Sequence, residues 1–238
     1  MAINIFIGTS PNGEDKEIED IYEYTLRKNS SSELSITWMK LNNCKNDIWN
    51  NWNTSKWFTP FSGLRWAIPH ACNFKGRAIY TDVDMINLKD ITELYDIDMQ
   101  GKPFAARKGK RWGFELCVMV IDCEIAGEYI WDLDKLKKNA DSHKYHRDLI
   151  SNSNLVAEID PKWNCLDGEN RNIGEMFQLH FTNMSTQPWR PSWFLGEFHQ
   201  HPRKDIIDLF ENYKNVIQEE NFTASSTTTD NVKYKILL

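Results

Sequence analysis

No stretch of the sequence approaches the roughly 18–20 consecutive apolar residues that span a bilayer, so a membrane-spanning segment is not expected. The start, residues 2–7, is a short apolar run without a basic stretch before it. A secretory signal is therefore not expected, and a cytoplasmic location is the simplest reading. Excess positive charge is also lacking: the formal net charge is −6. Affinity for a phosphate backbone comes from clustered Lys and Arg, so general nucleic-acid binding is disfavoured. The five cysteines, Cys44, Cys72, Cys117, Cys123 and Cys165, form no CxxC pair. They read as free thiols in a reducing compartment, with no zinc site among them. Internal repeats and a Gly/Pro-rich linker are absent, and the four N-x-S/T sequons at Asn29, Asn53, Asn183 and Asn221 are read as chance.

What is present is an ordinary globular composition, 41% hydrophobic and 26% charged over 238 residues, with ten tryptophans. This length suits one domain with its own core. Residues 2–8 read as a buried strand, 14–28 as a helix and 34–41 as a second strand. That β-loop-α-β opening is the usual start of an α/β domain with a mostly parallel sheet. Residues 42–60 form an Asn/Trp-rich loop, and 61–72 read as helical, with Pro69 bending or ending the segment. Further strands are expected at 78–81, 104–107, 116–121, 155–159 and 175–182. Further helices are expected at 90–95, 124–138, 142–151 and 205–219. The domain is taken as 1–220 and the remainder, 221–238, as a flexible tail.

The chemistry concentrates at Ile79-Tyr80-Thr81-Asp82-Val83-Asp84. Side chains two apart on an extended backbone share a face, so Asp82 and Asp84 can both address one ligand at the carboxyl end of a strand. Ligands of open α/β sheets gather there. Two adjacent carboxylates are best satisfied by a cation, and hard oxygen donors suit Mg²⁺ or Mn²⁺, which can in turn hold a diphosphate. A hundred residues on, His180 ends an expected strand before a polar loop closed by Gln187-Pro188-Trp189. Its imidazole would suit Mn²⁺ better than Mg²⁺.

An apolar strand ending in Asp-x-Asp, paired with a late His-Phe, polar loop and Pro-Trp, resembles glycosyltransferase family 8, the glycogenin and bacterial galactosyltransferase type. The resemblance runs from about residue 3 to 189. It implies a GT-A type α/β fold and a hexosyl transfer from a nucleotide-diphosphate sugar, expected to be a UDP-sugar, to a glycan or other hydroxyl acceptor. It also implies retention of anomeric configuration. Asp82, Asp84 and His180 would hold Mn²⁺ (or Mg²⁺), with Asp82 also near the ribose. Phe6-Ile7-Gly8-Thr9 resembles the strand and loop that cradle the nucleoside, and Arg65 matches an Arg near the donor. Candidate donor contacts are thus Gly8, Thr9, Arg65, Asp82, Val83, Asn183 and Gln187. Candidate catalytic residues are Asp82, Asp84, Arg65 and Glu115. Trp163-Asn164 resembles a late structural Trp-Asn.

The sequence departs from the pattern in two places. Gln187 stands where a diphosphate-binding Lys is usual, and Glu115-Leu116-Cys117 stands in the region of an Asn-x-Gly strand that lines the donor sugar. Lys108, Lys110 or Arg111 can supply the missing positive charge, or the loop that carries them is a solvated hairpin tip. Asp148 and Asp167 are further carboxylates near the expected sugar position, with a structural role as the alternative. Trp49, Trp52, Trp57 and Phe58 can form an acceptor platform or lid, or cover an apolar face. Two other readings of the whole stay open. One is a catalytically silent GT-A module that binds a glycan or partner. The other is a sugar nucleotidyltransferase, although Gly8–Gly13 lacks the basic residues its loop needs.

Overall fold

A computed structural model describes residues 2–110, 113–227 and 231–237. In chain order the elements are β1 (Ile3–Gly8), α1 (Lys16–Asn29), β2 (Leu34–Met39), α2 (Ile68–Ala71), β3 (Arg77–Asp82), β4 (Met85–Asn87) and α3 (Thr92–Tyr95). They continue with β5 (Phe104–Lys108), β6 (Phe114–Asp122), α4 (Cys123–Ala126), α5 (Leu133–Lys138), α6 (Ser142–Ser151), β7 (Val156–Glu158), β8 (Cys165–Leu166), β9 (Gln178–His180) and α7 (Lys204–Glu219). Six strands form the main sheet in the order β2-β1-β3-β6-β5-β7, and only β6 runs against its neighbours. A small second sheet, β4-β9-β8, stands beside it. The mostly parallel α/β sheet expected from the sequence is the one observed.

β1 is buried on both faces, with Ile3, Ile5, Phe6 and Ile7 all inside, as a central parallel strand covered by helices must be. α1 supplies one cover through Ile18, Ile21, Tyr22 and Leu26, which recur at helical spacing and are fully buried. Glu17 and Glu19 in its first turn, and Arg27 and Lys28 in its last, match the helix dipole. α7 lays Ile206, Phe210 and Ile217 inward and touches α1 through the edge-on pair Tyr24–Tyr213. Among the described residues no helix is long and apolar enough to cross a membrane.

Two local expectations need correction, and one left open is resolved. The single helix expected at 124–138 is two, α4 and α5. Asp132 starts the second by accepting a 2.9 Å hydrogen bond from the Lys135 amide, so a capping residue outweighs the continuous apolar pattern. Pro69 does not end the segment at 61–72; it sits in the first turn of α2, where its missing N–H costs nothing. Residues 64–67 before it form a 3₁₀ turn. The aromatic loop divides: Trp49, Trp52 and Trp57 are buried, while Phe58 is 60% exposed. The three tryptophans cover an apolar face, and only Phe58 is free to meet a ligand.

The segment expected as a flexible tail bonds to the domain where it is described. Ser225 donates to Glu23 through both its amide and its hydroxyl, each at 2.8 Å. Val232 N donates to Asn12 at 2.9 Å and Lys235 N to Thr54 at 3.2 Å.

Trp57 is fully buried and its ring lies directly over Gly63. A β-carbon at Gly63 would come within 2.5 Å of two of its ring atoms, far inside van der Waals contact. Gly63→Ala is expected to lower stability by about 1–3 kcal/mol, the usual cost of overpacking, read from denaturant unfolding. An unchanged midpoint would show that the Trp57 loop yields freely.

Candidate active site

The site begins where three strands end together. β1 pairs with β3 so that Gly8 lies opposite Asp82. β6 pairs with β3 through Thr81 and Val118, and one further antiparallel step sets Cys117 beside Asp82. On the other side of β6 the ladder to β5 jumps from Ala106–Met119 to Arg107–Glu115. This bulge re-aims Leu116 and Cys117, a common device at the rim of a site. Gly8 is needed for close approach: a β-carbon there would meet Phe61 at 2.9 Å and the Tyr80 hydroxyl at 3.0 Å.

Asp82 is held by two donors. Arg65 Nη2 lies 3.0 Å from its Oδ1, and the Tyr80 hydroxyl, on the same strand face, donates to the same oxygen. Arg65 is itself fixed: Nε donates to Ser62 O at 2.9 Å and Nη1 to Leu116 O. Its guanidinium lies 4.4 Å from the centre of the Tyr80 ring. Burial works against its charge, but Asp82 outweighs it and keeps the guanidinium ionised. Arg65 therefore orients Asp82, with each nitrogen already engaged.

Asp84 follows in the bend between β3 and β4. The β4–β9 ladder places Met85 opposite His180, and Phe181 N donates to Asp84 O at 2.8 Å. His180 Nε2 is consequently 3.3 Å from Asp84 Oδ1. The other ring nitrogen, Nδ1, lies 2.8 Å from Asn164 Oδ1. Asn164 Nδ2 points at Glu115 Oε2, 3.4 Å away, so the amide turns its oxygen to the imidazole. That assigns the proton to Nδ1 and leaves the Nε2 lone pair facing the carboxylates.

The electrostatics show how strongly this cluster draws positive charge, a proton on His180 Nε2 included. Burial raises the Asp84 pKa, with His180 acting against the rise. For His180, burial acts downward, yet Asp84, then Asp82 and Asp167, lift its pKa above the ordinary 6.5. Both shifts favour holding a proton, so the cluster is short of positive charge. Asp84 Oδ1 is buried with no hydrogen-bond partner among the described residues. Asp82, Cys117 and His180 each offer a ligand atom, all within 4.8 Å of one another. Buried Asp82 and Asp84 carboxylates, an imidazole whose Nδ1 is engaged by Asn164 and a surplus of negative charge fit a divalent cation.

Two cavities meet at this point. The smaller, about 230 Å³, is lined by Asp82, Val83, Asp84, His180, Gln187 and Trp189, among others. The larger, about 790 Å³, runs past Arg65, Glu115, His143, Asp148 and Glu169. Cys117 and Thr182 border both.

The remaining candidates distribute as follows. Gln187 lines the smaller cavity and donates to Phe181 O at 3.2 Å. Thr9 is fully buried and donates to Glu19 at 2.7 Å, facing the core rather than either cavity. Asn183 is exposed and its side chain accepts from Ser185 N at 3.1 Å, closing a turn. Asp167 is buried, accepting from Thr182 at 2.6 Å and pairing with His201 at 3.3 Å. Asp148 is paired with Lys144 and Arg147. Lys108 is exposed, Lys110 pairs with Glu169 at 3.2 Å, and Arg111 lies outside the described residues.

Sequence reasoning missed several residues here. Cys117 stands out only once strand pairing sets it beside Asp82. Asp15 lines the smaller cavity and accepts from Ser10 N at 3.0 Å and Trp189 Nε1 at 3.1 Å; burial pushes its pKa up to about 6. Glu169 anchors Arg107, which also lies 3.5 Å from Glu115. Asp167 was picked out two residues away, but Glu169 itself was not, because its pairing with Arg107 depends on tertiary contact.

No family model matches the sequence, and no curated protein does. Solved structures match in fold. LgtC, in the form of an active-site mutant, aligns with a TM-score of 0.61 at 9% identity, over 94% of this chain and 97% of that one. The glycosyltransferase GlyE of Streptococcus pneumoniae TIGR4 gives 0.60 at 13% identity, over 95% of this chain and 66% of GlyE. The bifunctional glycosyltransferase WbbM gives 0.56 at 11%, over 76% and 46%. The chain thus spans under half the length of WbbM and about two-thirds of GlyE, but nearly all of LgtC. The GT-A architecture expected from the sequence is the fold these structures share with it.

Burial disfavours ionised Glu169, but Arg107, then Lys110, overcome it and hold its pKa at about 2 against an ordinary 4.5. A depressed carboxylate contributes stability above its unfolded pKa and loses it as pH falls through the folded one. Glu169→Gln is therefore expected to be less stable than the parent at pH 7, with the gap closing between about pH 4.5 and 2 in denaturant titrations. A gap independent of pH would contradict the ion-pair account.

Proposed function

We propose that this chain transfers a hexose from a nucleotide-diphosphate sugar, a UDP-sugar, to a glycan or other hydroxyl acceptor, with retention and dependent on a divalent metal. The observation that carries the reading is the convergence of Asp82, Asp84 and the Asn164-oriented His180 at the carboxyl ends of the strands, between two cavities. The GT-A fold shared with glycosyltransferases supports it. LgtC has been crystallised with donor and acceptor sugar analogues, as a galactosyltransferase; the same pair of ligand classes is proposed here.

Asp82, Asp84 and His180 would hold the Mn²⁺, which when bound stabilises charge on the leaving diphosphate. Arg65 and Tyr80 fix the Asp82 carboxylate before any ligand arrives, so little reorganisation is needed. Asn164 keeps the His180 Nε2 lone pair turned inward. Val83 and Gln187 line the smaller cavity, which would take the nucleotide side of the donor. The larger cavity would take the sugar and the acceptor, with the reaction at the Cys117–Thr182 border. Glu115 lines that larger cavity. Burial raises its pKa, opposed by Arg107, and it can orient an acceptor hydroxyl there. Asn183 and Thr9 take no part in this arrangement beyond holding the loops.

Asp84→Asn is expected to reduce Mn²⁺-dependent UDP release from a UDP-hexose by about 10²-fold or more, the scale of losing one electrostatic stabiliser. Its Tm should stay level or rise, because the ionised carboxylate is disfavoured in the fold. Full turnover by this variant would overturn the assignment.

A further inference from the structure

We propose that Cys117 is a ligand in the same cation site, so that the site prefers a borderline, thiol-accepting divalent ion such as Zn²⁺ or Co²⁺ over Mg²⁺. This rests on the reading that Asp82, Asp84 and His180 hold a divalent ion. Two geometric observations carry it independently. The Cys117 sulfur, an Asp82 oxygen and a His180 nitrogen lie within 4.8 Å of one another. The Thr81–Val118 pairing, carried one antiparallel step further, sets this thiol beside Asp82, while the β5–β6 bulge leaves Cys117 outside the β5 ladder. Cys117 is a part-exposed residue and borders both cavities, so an ion can reach it through them.

The donor set then reads carboxylate, imidazole and thiol. Zinc takes carboxylate, imidazole and thiolate ligands, and these three side chains would supply one of each. Soft sulfur selects against Mg²⁺, which demands oxygen ligands and keeps its waters. On binding, the Cys117 S–H bond breaks, the proton leaves to buffer, and the sulfur lone pair bonds the ion; no electron transfer is involved. The Asn164 contact to His180 Nδ1 is the outer support that metal-bound imidazoles usually have.

The test is titration of the purified full chain with Co²⁺ alone, read by absorption. The parent protein is expected to show visible ligand-field bands together with a near-ultraviolet sulfur-to-cobalt charge-transfer band. Cys117→Ser retains every other cysteine. It is expected to keep visible bands, lose the charge-transfer band and bind Co²⁺ at least about tenfold more weakly, with Mn²⁺ binding changed by less than about threefold. Circular dichroism and Tm of Cys117→Ser establish that it is folded, and Cys117→Ala gives the same comparison if it is not. Visible bands without charge transfer in the parent, or a charge-transfer band that survives in Cys117→Ser, would overturn the role of Cys117 and leave the Asp82/Asp84/His180 site standing. No binding of Co²⁺ or Mn²⁺ by the parent would overturn the metal site itself.

Discussion

Arg65 and Asp82 form a buried ion pair at the carboxyl end of β3, and the geometry around it follows from keeping both charges satisfied. Removing one member of such a pair leaves an uncompensated buried charge, typically at a cost of about 3–5 kcal/mol. Arg65 can serve Asp82 because the 3₁₀ turn at residues 64–67 presents it and Ser62 and Leu116 carbonyls fix its other nitrogens. Gly8 must lack a side chain because Tyr80 fills the space above it to reach Asp82. The strand ends are thereby locked before any ligand is considered.

A second layer grows from the small sheet. β4 and β9 pair so that Asp84 and His180 face each other across the end of the main sheet. The Trp163-Asn164 turn then supplies the amide that sets the imidazole tautomer. Among the described residues, the cation that meets this cluster, Arg65, is already committed to Asp82, and negative charge is left in excess. That imbalance, more than the identity of any one residue, is what the proposed cation would offset.

Much of this was legible in the sequence. The apolar run into Asp82-Val83-Asp84 and the β-α-β opening rest on local periodicity, which a single chain displays openly. His180 and Arg65 were legible through the resemblance to a known family. Cys117 was not, because its place depends on a β6 register and a bulge set by pairing with β3 and β5. Thr9 shows the converse: it lies in the expected loop, but a buried Glu19 on α1 draws its hydroxyl into the core. The break between α4 and α5 turned on one capping aspartate, and the position of Asp15 on a loop that only folding brings under Trp189.

The central claim is that the cleft binds a nucleotide-diphosphate sugar together with a metal at Asp82, Asp84 and His180. It is tested most directly by thermal unfolding of the intact chain with UDP-, GDP- and TDP-sugars, each with Mn²⁺ and with EDTA. A ligand at roughly 100 times its Kd stabilises the native state by about 2.7 kcal/mol, which raises Tm by about 5–10 °C in a chain of this size. Such a rise is expected for a UDP-sugar with Mn²⁺, and it should disappear with EDTA. An unchanged Tm with every nucleotide sugar in the presence of Mn²⁺ would contradict it.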